Sequence, residues 1–411
     1  MVNAVNTKKP PLLPIIGCLV VQLCVGVIYL WSVLSTATKN YYGWEAGQVK
    51  LIASFMLFAF CVGNFGGGAL NDRFGPKKVS FIGVILFGVG IFLASCLPKS
   101  SSIVLFYLTY SIIGGLGVGI TYGAILSCIQ KWFPHKRGFA TGIATAAFGL
   151  GTVAFSPVIG AMLKTMTVST TLRILSIVFL VAGLVGCFVI KLPDEAYLAQ
   201  LPKPASTKNL SAKKDMTLGE AIKTVPFWCL LFNIFFYNAT WNMLNPMIAP
   251  LVKDGFIATG MGAERAASLS VTCVSLTGLF NAAGRFGMSS LSDKLGRIET
   301  VIMLCVVTIV CAILLMFAKG WLCFIVVLIT AFAFGGPSAV NPATSTDFFG
   351  AKYSGTNYGV AMLSLGFSSI IFNAIANALN SNVLTFIMGA ITAVITIVLM
   401  LIMKRYQKKQ S

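Results

Sequence analysis

The sequence predicts an all-α polytopic membrane protein that crosses the bilayer with twelve helices, arranged in two halves of six. Of its 411 residues, 57% are hydrophobic and only 10% are charged, and the mean hydropathy is +0.88. A soluble protein carries about 25% charged residues, so the composition excludes that class. Apolar stretches of about 20 residues, the length that spans a bilayer, recur from residue 12 to residue 403.

The basic residues fall mainly on one predicted side of the membrane. Most of the 30 lysine and arginine residues lie near the two termini and in the even-numbered connections between helices. Positive charge accumulates on the cytoplasmic side of membrane proteins. We therefore expect a multi-pass protein of the cell (inner) membrane with both termini in the cytoplasm. The net charge of +19 then reflects topology and does not indicate a nucleic-acid partner.

The first predicted half covers residues 1–190. Helix 1 is predicted over 12–36 and helix 2 over 48–70, followed by the charged turn 71–78, Asn-Asp-Arg-Phe-Gly-Pro-Lys-Lys. Glycine and proline favour a turn there, and its charges place it at the membrane surface. Helix 4, predicted over 102–130, contains five glycines that allow other backbones to approach closely.

The second predicted half, residues 225–411, repeats features of the first. Residues 191–224 are the only long polar stretch and are predicted to link the two halves. The turn at 292–297 repeats the turn at 71–76 with an offset of 221 residues, and the segment ending at Gly359 repeats the one ending at Gly142 with an offset of 216 to 217. Two repeats at nearly one offset indicate an internal duplication.

Helices 7 and 10 have unusual sequences for membrane spans. Helix 7, predicted over 225–250, carries polar and aromatic residues near the helical period, namely Asn233, Tyr237, Asn238, Trp241, Asn242 and Asn245. This pattern predicts that one face of helix 7 contacts water or a ligand. Pro246 is expected to bend or end that helix, and Gly335-Gly336-Pro337 is expected to break helix 10.

One arginine, Arg285, lies inside the apolar helix 8. That helix is predicted from about residue 266 to the polar turn at 292–293, which places Arg285 about 12 Å from its end. A charge at such depth costs from about 3 to more than 10 kcal/mol on a lipid-facing helix, so Arg285 should face the bundle interior or a wet cavity. All eleven acidic residues lie in connections or at predicted helix ends.

Several motifs together resemble the major facilitator superfamily. The paired turns after helices 2 and 8 carry the general resemblance, which covers nearly the whole chain. Residues 136–144, Lys-Arg-Gly-Phe-Ala-Thr-Gly-Ile-Ala, are similar to a monocarboxylate transporter motif, and residues 117–123, 347–350 and 357–359 are similar to the bacterial oxalate/formate antiporter group. The resemblance implies a central cavity lined by helices 1, 4, 7 and 10, which is exposed alternately to the two sides.

The resemblance also implies a binding site. An arginine in helix 8 binds the carboxylate in this family, and Arg285 holds that position; structural bonding to helix carbonyls is the alternative. Asn281, one turn earlier, is a candidate to orient the guanidinium or to bond a substrate hydroxyl. The remaining candidates line the predicted cavity, with ordinary packing as the alternative for each: Tyr29, Tyr122, Tyr237, Asn238, Trp241, Leu30, Phe148, Phe334 and Leu365.

The two repeated turns resemble the cytoplasmic gate of the superfamily. Asp72 with Arg73, and Asp293 with Lys294, are therefore gating candidates, in which charges and helix ends hold the inner side closed. Anchoring of the topology is the alternative role for these charges.

Departures from the family patterns narrow the predicted substrate. Oxalate carriers have a lysine in helix 11 where this sequence has Leu365, so one fixed positive charge is left and a monocarboxylate fits better than a dianion. Animal monocarboxylate transporters have an aspartate and a lysine where Asn281 and Val33 stand here. The sequence predicts a secondary transporter of small monocarboxylates of the lactate and pyruvate type.

The coupling mode has two predicted alternatives. Symport with a proton, carried on Glu264 or on the substrate, is expected first because a neutral cycle avoids moving an anion against a negative-inside potential. Exchange of one carboxylate for another is the alternative, since it needs no titratable group.

Catalytic and metal sites are not predicted. The eleven cysteines lie singly in apolar stretches and the single histidine, His135, lies in a basic connection. A membrane enzyme would need acids, bases or metal ligands within the bundle, and a receptor would be expected to add a soluble domain. We expect no cofactor, and as partners a small monocarboxylate anion, with or without a proton, and the lipid bilayer. The chain is expected to act as a monomer.

Overall fold

The computed structural model describes residues 12–200, 214–379 and 381–410, without the side chain of Tyr29. Within these ranges the chain forms helices and turns, and no strand occurs. Ten of the helices are long and apolar enough to cross a membrane, and the bent pair Leu12–Ile28 and Val33–Tyr42 makes an eleventh. The predicted all-α polytopic membrane fold is confirmed.

The membrane helices are numbered in chain order. Before the polar stretch they are helix 1 (Leu12–Val25, Gly26–Leu30 and Trp31–Tyr42), helix 2 (Ala46–Phe74), helix 3 (Pro76–Ser95), helix 4 (Ile103–Phe106, Tyr107–Ile113 and Gly114–Trp132), helix 5 (Arg137–Thr165) and helix 6 (Val168–Val189). After it they are helix 7 (Val225–Leu244, Asn245–Met247 and Ile248–Ile257), helix 8 (Ala263–Leu295), helix 9 (Arg297–Leu315), helix 10 (Gly320–Phe349), helix 11 (Ser354–Leu379) and helix 12 (Asn382–Gln410).

Helix 7 completes the twelve predicted helices but is not among the eleven most apolar ones. Its asparagines are bonded within the protein. Asn233 donates to the Asn341 side chain at 2.8 Å, and Asn242 lies 3.4 Å from the Ser368 hydroxyl. The short 3-10 turn at Asn245–Met247, which contains Pro246, bends the helix without ending it.

Helix 10 differs from its prediction, because the expected break at residues 335–337 does not interrupt it. The helix is continuous through Pro337 and Pro342. A methyl group at Gly335 would collide with the backbone carbonyl of Asn281 on helix 8. The glycine therefore permits close helix contact, and enclosure by neighbouring helices allows the prolines to remain in a helical segment.

The polar stretch between helices 6 and 7 contains two short helices, Glu195–Leu198 and Leu218–Ala221; residues 201–213 lie outside the described part. Met216 donates its backbone N–H to the carbonyl of Phe349 at 2.8 Å and accepts from the Asn357 side chain at 3.0 Å. The stretch therefore packs against the ends of helices 10 and 11.

Two equivalent turns mark one end of the helix bundle. Gly75 ends helix 2 with φ +81°, and Gly296 ends helix 8 with φ +107°. Glycine adopts positive φ at little cost, which explains its position at both turns. We call this the gate end, defined by Gly75 and Gly296.

The contacts between helices also repeat at the offsets found in the sequence. A methyl group at Gly63 of helix 2 would collide with the carbonyl of Leu116 on helix 4. A methyl group at Gly284 of helix 8 would collide with the carbonyl of Phe332 on helix 10. Because Gly63 and Gly284 are 221 residues apart, and Leu116 and Phe332 are 216 apart, the two helix pairs pack in the same way.

Replacing Gly284 by alanine should therefore destabilise the protein. Overpacking of a close contact costs about 1 to 3 kcal/mol, which should lower the melting temperature measured in detergent. Gly160→Ala is the matched control, because among the described residues no atom lies within 4 Å of a methyl group at that helical position. Equal melting temperatures for the two variants would contradict the close packing.

Candidate substrate site and gate

Arg285 is buried in helix 8 and only 5% exposed. Its Nε donates a hydrogen bond to Oδ1 of Asn281 at 2.7 Å, and the Asn281 amide lies 3.4 Å from the carbonyl of Ala331 on helix 10. In the described part of the chain, the hydrogen bonds of Arg285 use only Nε, and no carboxylate forms an ion pair with it. The two terminal nitrogens of the guanidinium are therefore available to a ligand.

Helix 5 passes the Arg285 side chain with a glycine. A methyl group at Gly149 would lie 3.9 Å from both Cδ and Nε of Arg285, in ordinary van der Waals contact. The side chain is thus enclosed between helix 5 on one side and helix 10 on the other. This placement agrees with the expectation that Arg285 faces the bundle interior.

Aromatic residues of helices 2, 4 and 5 form a buried cluster. The Tyr122 ring is edge-on to Phe148 at 5.0 Å and to Phe60 at 5.3 Å between centroids. Tyr358, on helix 11, lies close enough to both Tyr122 and Arg285 to interact electrostatically with them. Tyr358 therefore connects this cluster with the arginine.

The candidates on helix 7 pack against helix 10. Trp241 stacks on Phe334 at 4.9 Å between ring centroids, and Tyr237 lies parallel to the same ring at 6.1 Å. The Tyr237 hydroxyl donates to the carbonyl of Ala333, and the Asn238 side chain donates to the carbonyl of Ile234 within its own helix at 2.6 Å. Both polar side chains are therefore buried and engaged by protein groups.

The remaining predicted wall residues pack in the main apolar core. Leu30 is buried there, and Leu365 is half-buried against it. Tyr29 belongs to the turn Gly26–Leu30 within helix 1, and its side chain lies outside the described part.

At the gate end, Asp293 joins helix 8 to the start of helix 5. Its carboxylate accepts the backbone N–H groups of Gly138 at 2.9 Å and Phe139 at 2.8 Å, and forms an ion pair with Arg297 at 2.7 Å. A carboxylate at a helix N-terminus satisfies unpaired N–H groups and interacts favourably with the helix dipole. Asp293 therefore ties two helices from opposite sides of the duplication.

Asp72 forms the equivalent contact between helices 2 and 11. Its Oδ2 accepts the backbone N–H of Thr356 at 2.9 Å and the Thr356 hydroxyl at 2.7 Å. Asp72 and Asp293 are 221 residues apart, so the same carboxylate contact to a helix N-terminus occurs twice. The gate end is closed by both contacts.

A second layer of ion pairs surrounds Asp347 on helix 10. Its carboxylate pairs with Arg137 of helix 5 at 2.9 Å and with Arg297 of helix 9 at 3.0 Å. Sequence analysis did not single out these three residues for gating, although Arg137 and Asp347 lie in the quoted motifs and Arg297 in the repeated turn. Their pairing across the duplication is a three-dimensional contact that no spacing indicates.

The two basic gating candidates lie outside this network. Arg73 is exposed and its guanidinium lies 5.2 Å from the centroid of the Phe74 ring. Lys294 is also exposed. Asp72 and Asp293 thus make contacts across the duplication, whereas Arg73 and Lys294 point to the surface.

Replacing Asp347 by asparagine should open the gate end. The change leaves two buried arginines without the shared carboxylate, and removal of one partner of a buried ion pair costs about 3 to 5 kcal/mol. The expected result is a broader and longer distance distribution between spin labels at Lys78 and Lys294, two exposed gate-end positions on opposite sides of the duplication.

Glu299→Gln is the control for that experiment. Glu299 pairs with Lys404 at 2.9 Å, but this pair is half exposed and joins helices 9 and 12 on the same side of the duplication. Its loss should leave the label distances unchanged. A distribution for Asp347→Asn that matches the parent protein would contradict the gate assignment.

Comparison with known proteins follows the same lines as the geometry. Residues 16–373 match the family model described as Major Facilitator Superfamily. The chain is 29% identical over 395 residues to the oxalate:formate antiporter of Oxalobacter formigenes, covering 94% of this chain and 89% of that protein. It is 24% identical over 479 residues to apicoplast pyruvate carrier 1 of Toxoplasma gondii, covering 93% and 86%. The crystal structure of FucP in the outward conformation matches with a TM-score of 0.71 and 14% identity, over 95% of this chain and 98% of that chain.

Proposed function

The chain belongs to the Major Facilitator Superfamily, as its motifs predict, and we propose that it is a secondary transporter of small monocarboxylates of the lactate and pyruvate type. The observation that carries this proposal is the free face of Arg285. Its Nε is held by Asn281, and its terminal nitrogens form a planar pair of donors without a protein carboxylate in the described residues. This geometry matches bidentate binding of one carboxylate.

The surroundings favour a small substrate with a single charge. Tyr122, Phe148 and the Trp241–Phe334 stack supply aromatic walls, and Leu365 is apolar where oxalate carriers have a second cation. A dianion would bring one uncompensated negative charge into this region, which is costly. The named substrates of the two relatives, oxalate and formate in one and pyruvate in the other, are all small carboxylates and support the same class.

We propose that the gate end faces the cytoplasm, in accord with the distribution of basic residues. Asp72 and Asp293 would hold it closed through the N-termini of helices 11 and 5, with Asp347 and its two arginines as the second layer. Separation of these contacts would expose the Arg285 site to that side. Arg73 and Lys294 would then anchor the topology.

Exchange of carboxylates is favoured by one feature of the site. During reorientation the site passes through a state closed to both sides, in which an empty carrier would bury Arg285 without a counter-ion, whereas a loaded carrier is neutral. Glu264, the sequence candidate for carrying a proton, is exposed and about 31 Å along helix 8 from Arg285. It is thus too remote to neutralise the arginine, so we place exchange ahead of proton symport.

Substitution of Arg285 by glutamine should abolish carboxylate transport. The variant keeps hydrogen-bonding groups but loses the charge and the paired donors, so lactate uptake into proteoliposomes should fall by at least about 100-fold, and Arg285→Lys should recover little of it.

Arg265→Gln is the matched control, because Arg265 is exposed in the first turn of the same helix. Its uptake rate should equal that of the parent protein. Parent-like lactate uptake by the Arg285→Gln variant would refute the binding site.

Preloading tests the coupling mode. Proteoliposomes that contain unlabelled lactate should take up labelled lactate about tenfold faster than empty ones, because the loaded carrier reorients over a lower barrier and about 1.4 kcal/mol corresponds to a factor of ten. An imposed pH gradient should have little effect on empty vesicles. Accumulation in empty vesicles driven by an inward proton gradient would instead establish symport.

A further inference from the structure

A small polar cavity lies between helices 2, 4, 10 and 11. Its volume is about 10 Å³, and its polar lining residues are Asn64, Ser127, Gln130, Thr346, Ser354 and Tyr358. That space holds one water molecule or one group the size of a hydroxyl. Because the helices come from both sides of the duplication, the cavity lies at their interface.

Asn64 is buried in the wall of this cavity with an unused amide. It is 1% exposed, and neither its Oδ1 nor its Nδ2 has a hydrogen-bond partner among the described residues. The hydroxyl of Ser127 is in the same situation, whereas Gln130 accepts a hydrogen bond from Thr346 at 2.6 Å. Buried amides and hydroxyls are rarely left unpaired in proteins, so Asn64 and Ser127 indicate a polar ligand.

Asn64 occupies the position in helix 2 that Arg285 occupies in helix 8. The two residues are 221 apart, the offset of the repeated turns. A methyl group at Gly359 of helix 11 would lie 3.0 Å from the Asn64 carbonyl oxygen, and one at Gly142 of helix 5 would lie 3.1 Å from the Arg285 carbonyl oxygen. The two side chains therefore start from equivalent points at equal depth in the bundle.

Tyr358 places the cavity next to the proposed carboxylate site. Its side chain forms part of the cavity wall and lies within electrostatic range of Arg285. A short molecule bound to the arginine thus has this cavity beside it.

The chemistry of the cavity suits a neutral O–H group. The Asn64 amide and the Ser127 hydroxyl each both donate and accept, and the lining residues carry no charge. A carboxylate there would lack a counter-ion, and an alkyl group would leave both polar side chains unpaired.

We propose that this cavity is an uncharged subsite that binds the hydroxyl group of a short hydroxy acid while Arg285 holds its carboxylate. A water molecule, which has the same hydrogen-bonding chemistry, would fill the subsite when the substrate has no hydroxyl. The proposal rests on the proposed function, because it requires the carboxylate on Arg285. It gives hydroxy acids an advantage over plain carboxylic acids of the same size.

Lactate and propionate form the test pair, because they differ only in the hydroxyl group. Equilibrium binding of each acid to the purified protein and its uptake into proteoliposomes should favour lactate by about tenfold in the parent protein. Asn64→Leu should reduce this preference to less than about twofold, while propionate binding stays within about twofold of the parent value. Ser127→Ala should reduce the preference in the same direction.

Asn71→Leu is the matched control. Asn71 lies on the same helix, is equally buried with an unpaired amide, and does not line the cavity. Its lactate preference should equal that of the parent protein.

The outcomes separate the two proposals. Failure of both acids to bind the parent protein would refute the proposed function itself. Binding of both acids with a preference that Asn64→Leu does not change would refute the subsite and assign the cavity to water alone. Equal loss of lactate and propionate binding in a stably folded Asn64→Leu protein would also refute it, because Asn64 would then support the carboxylate site and not the hydroxyl.

Discussion

The buried charge of Arg285 is the constraint on which this structure depends. An arginine in the interior of a membrane protein is tolerated when its charge and its donors are satisfied. Here Asn281 satisfies Nε and orients the guanidinium plane, and glycines on helices 5 and 10 allow the neighbouring backbones to approach. In the described residues no protein carboxylate completes the pairing. The site is therefore built to receive an anion, and the energetic advantage of a loaded over an empty site provides a physical basis for coupling transport to exchange.

The internal duplication gives the molecule two copies of one arrangement with different chemistry. At the gate end the copies are alike, because Asp72 and Asp293 each accept from the N-terminus of a helix on the other side of the duplication. In the middle of the bundle they differ, because Arg285 is matched by Asn64. A symmetric framework thus provides a closure with equal contacts on both sides, while its central positions distinguish a charged site from a neutral one.

Much of this arrangement follows from the sequence alone, and the exceptions have physical causes. The depth of Arg285 in an apolar helix predicts its interior position, and the glycines at 75 and 296 predict the paired turns. Asp347 and its arginines were not predicted as gate residues, because ion pairs between distant helices leave no periodic pattern. The asparagines of helix 7 were expected to face water or a ligand, but Asn233 and Asn238 bond to protein groups. Composition identifies polar residues on a helix and does not identify what they contact.

The most direct test of the central claim is an experimental structure of the protein with bound lactate. The account predicts the two carboxylate oxygens at about 2.7 to 3.0 Å from the two terminal nitrogens of Arg285, with Asn281 still accepting from Nε. Lactate bound elsewhere, with the terminal nitrogens of Arg285 bonded to helix carbonyls, would contradict it.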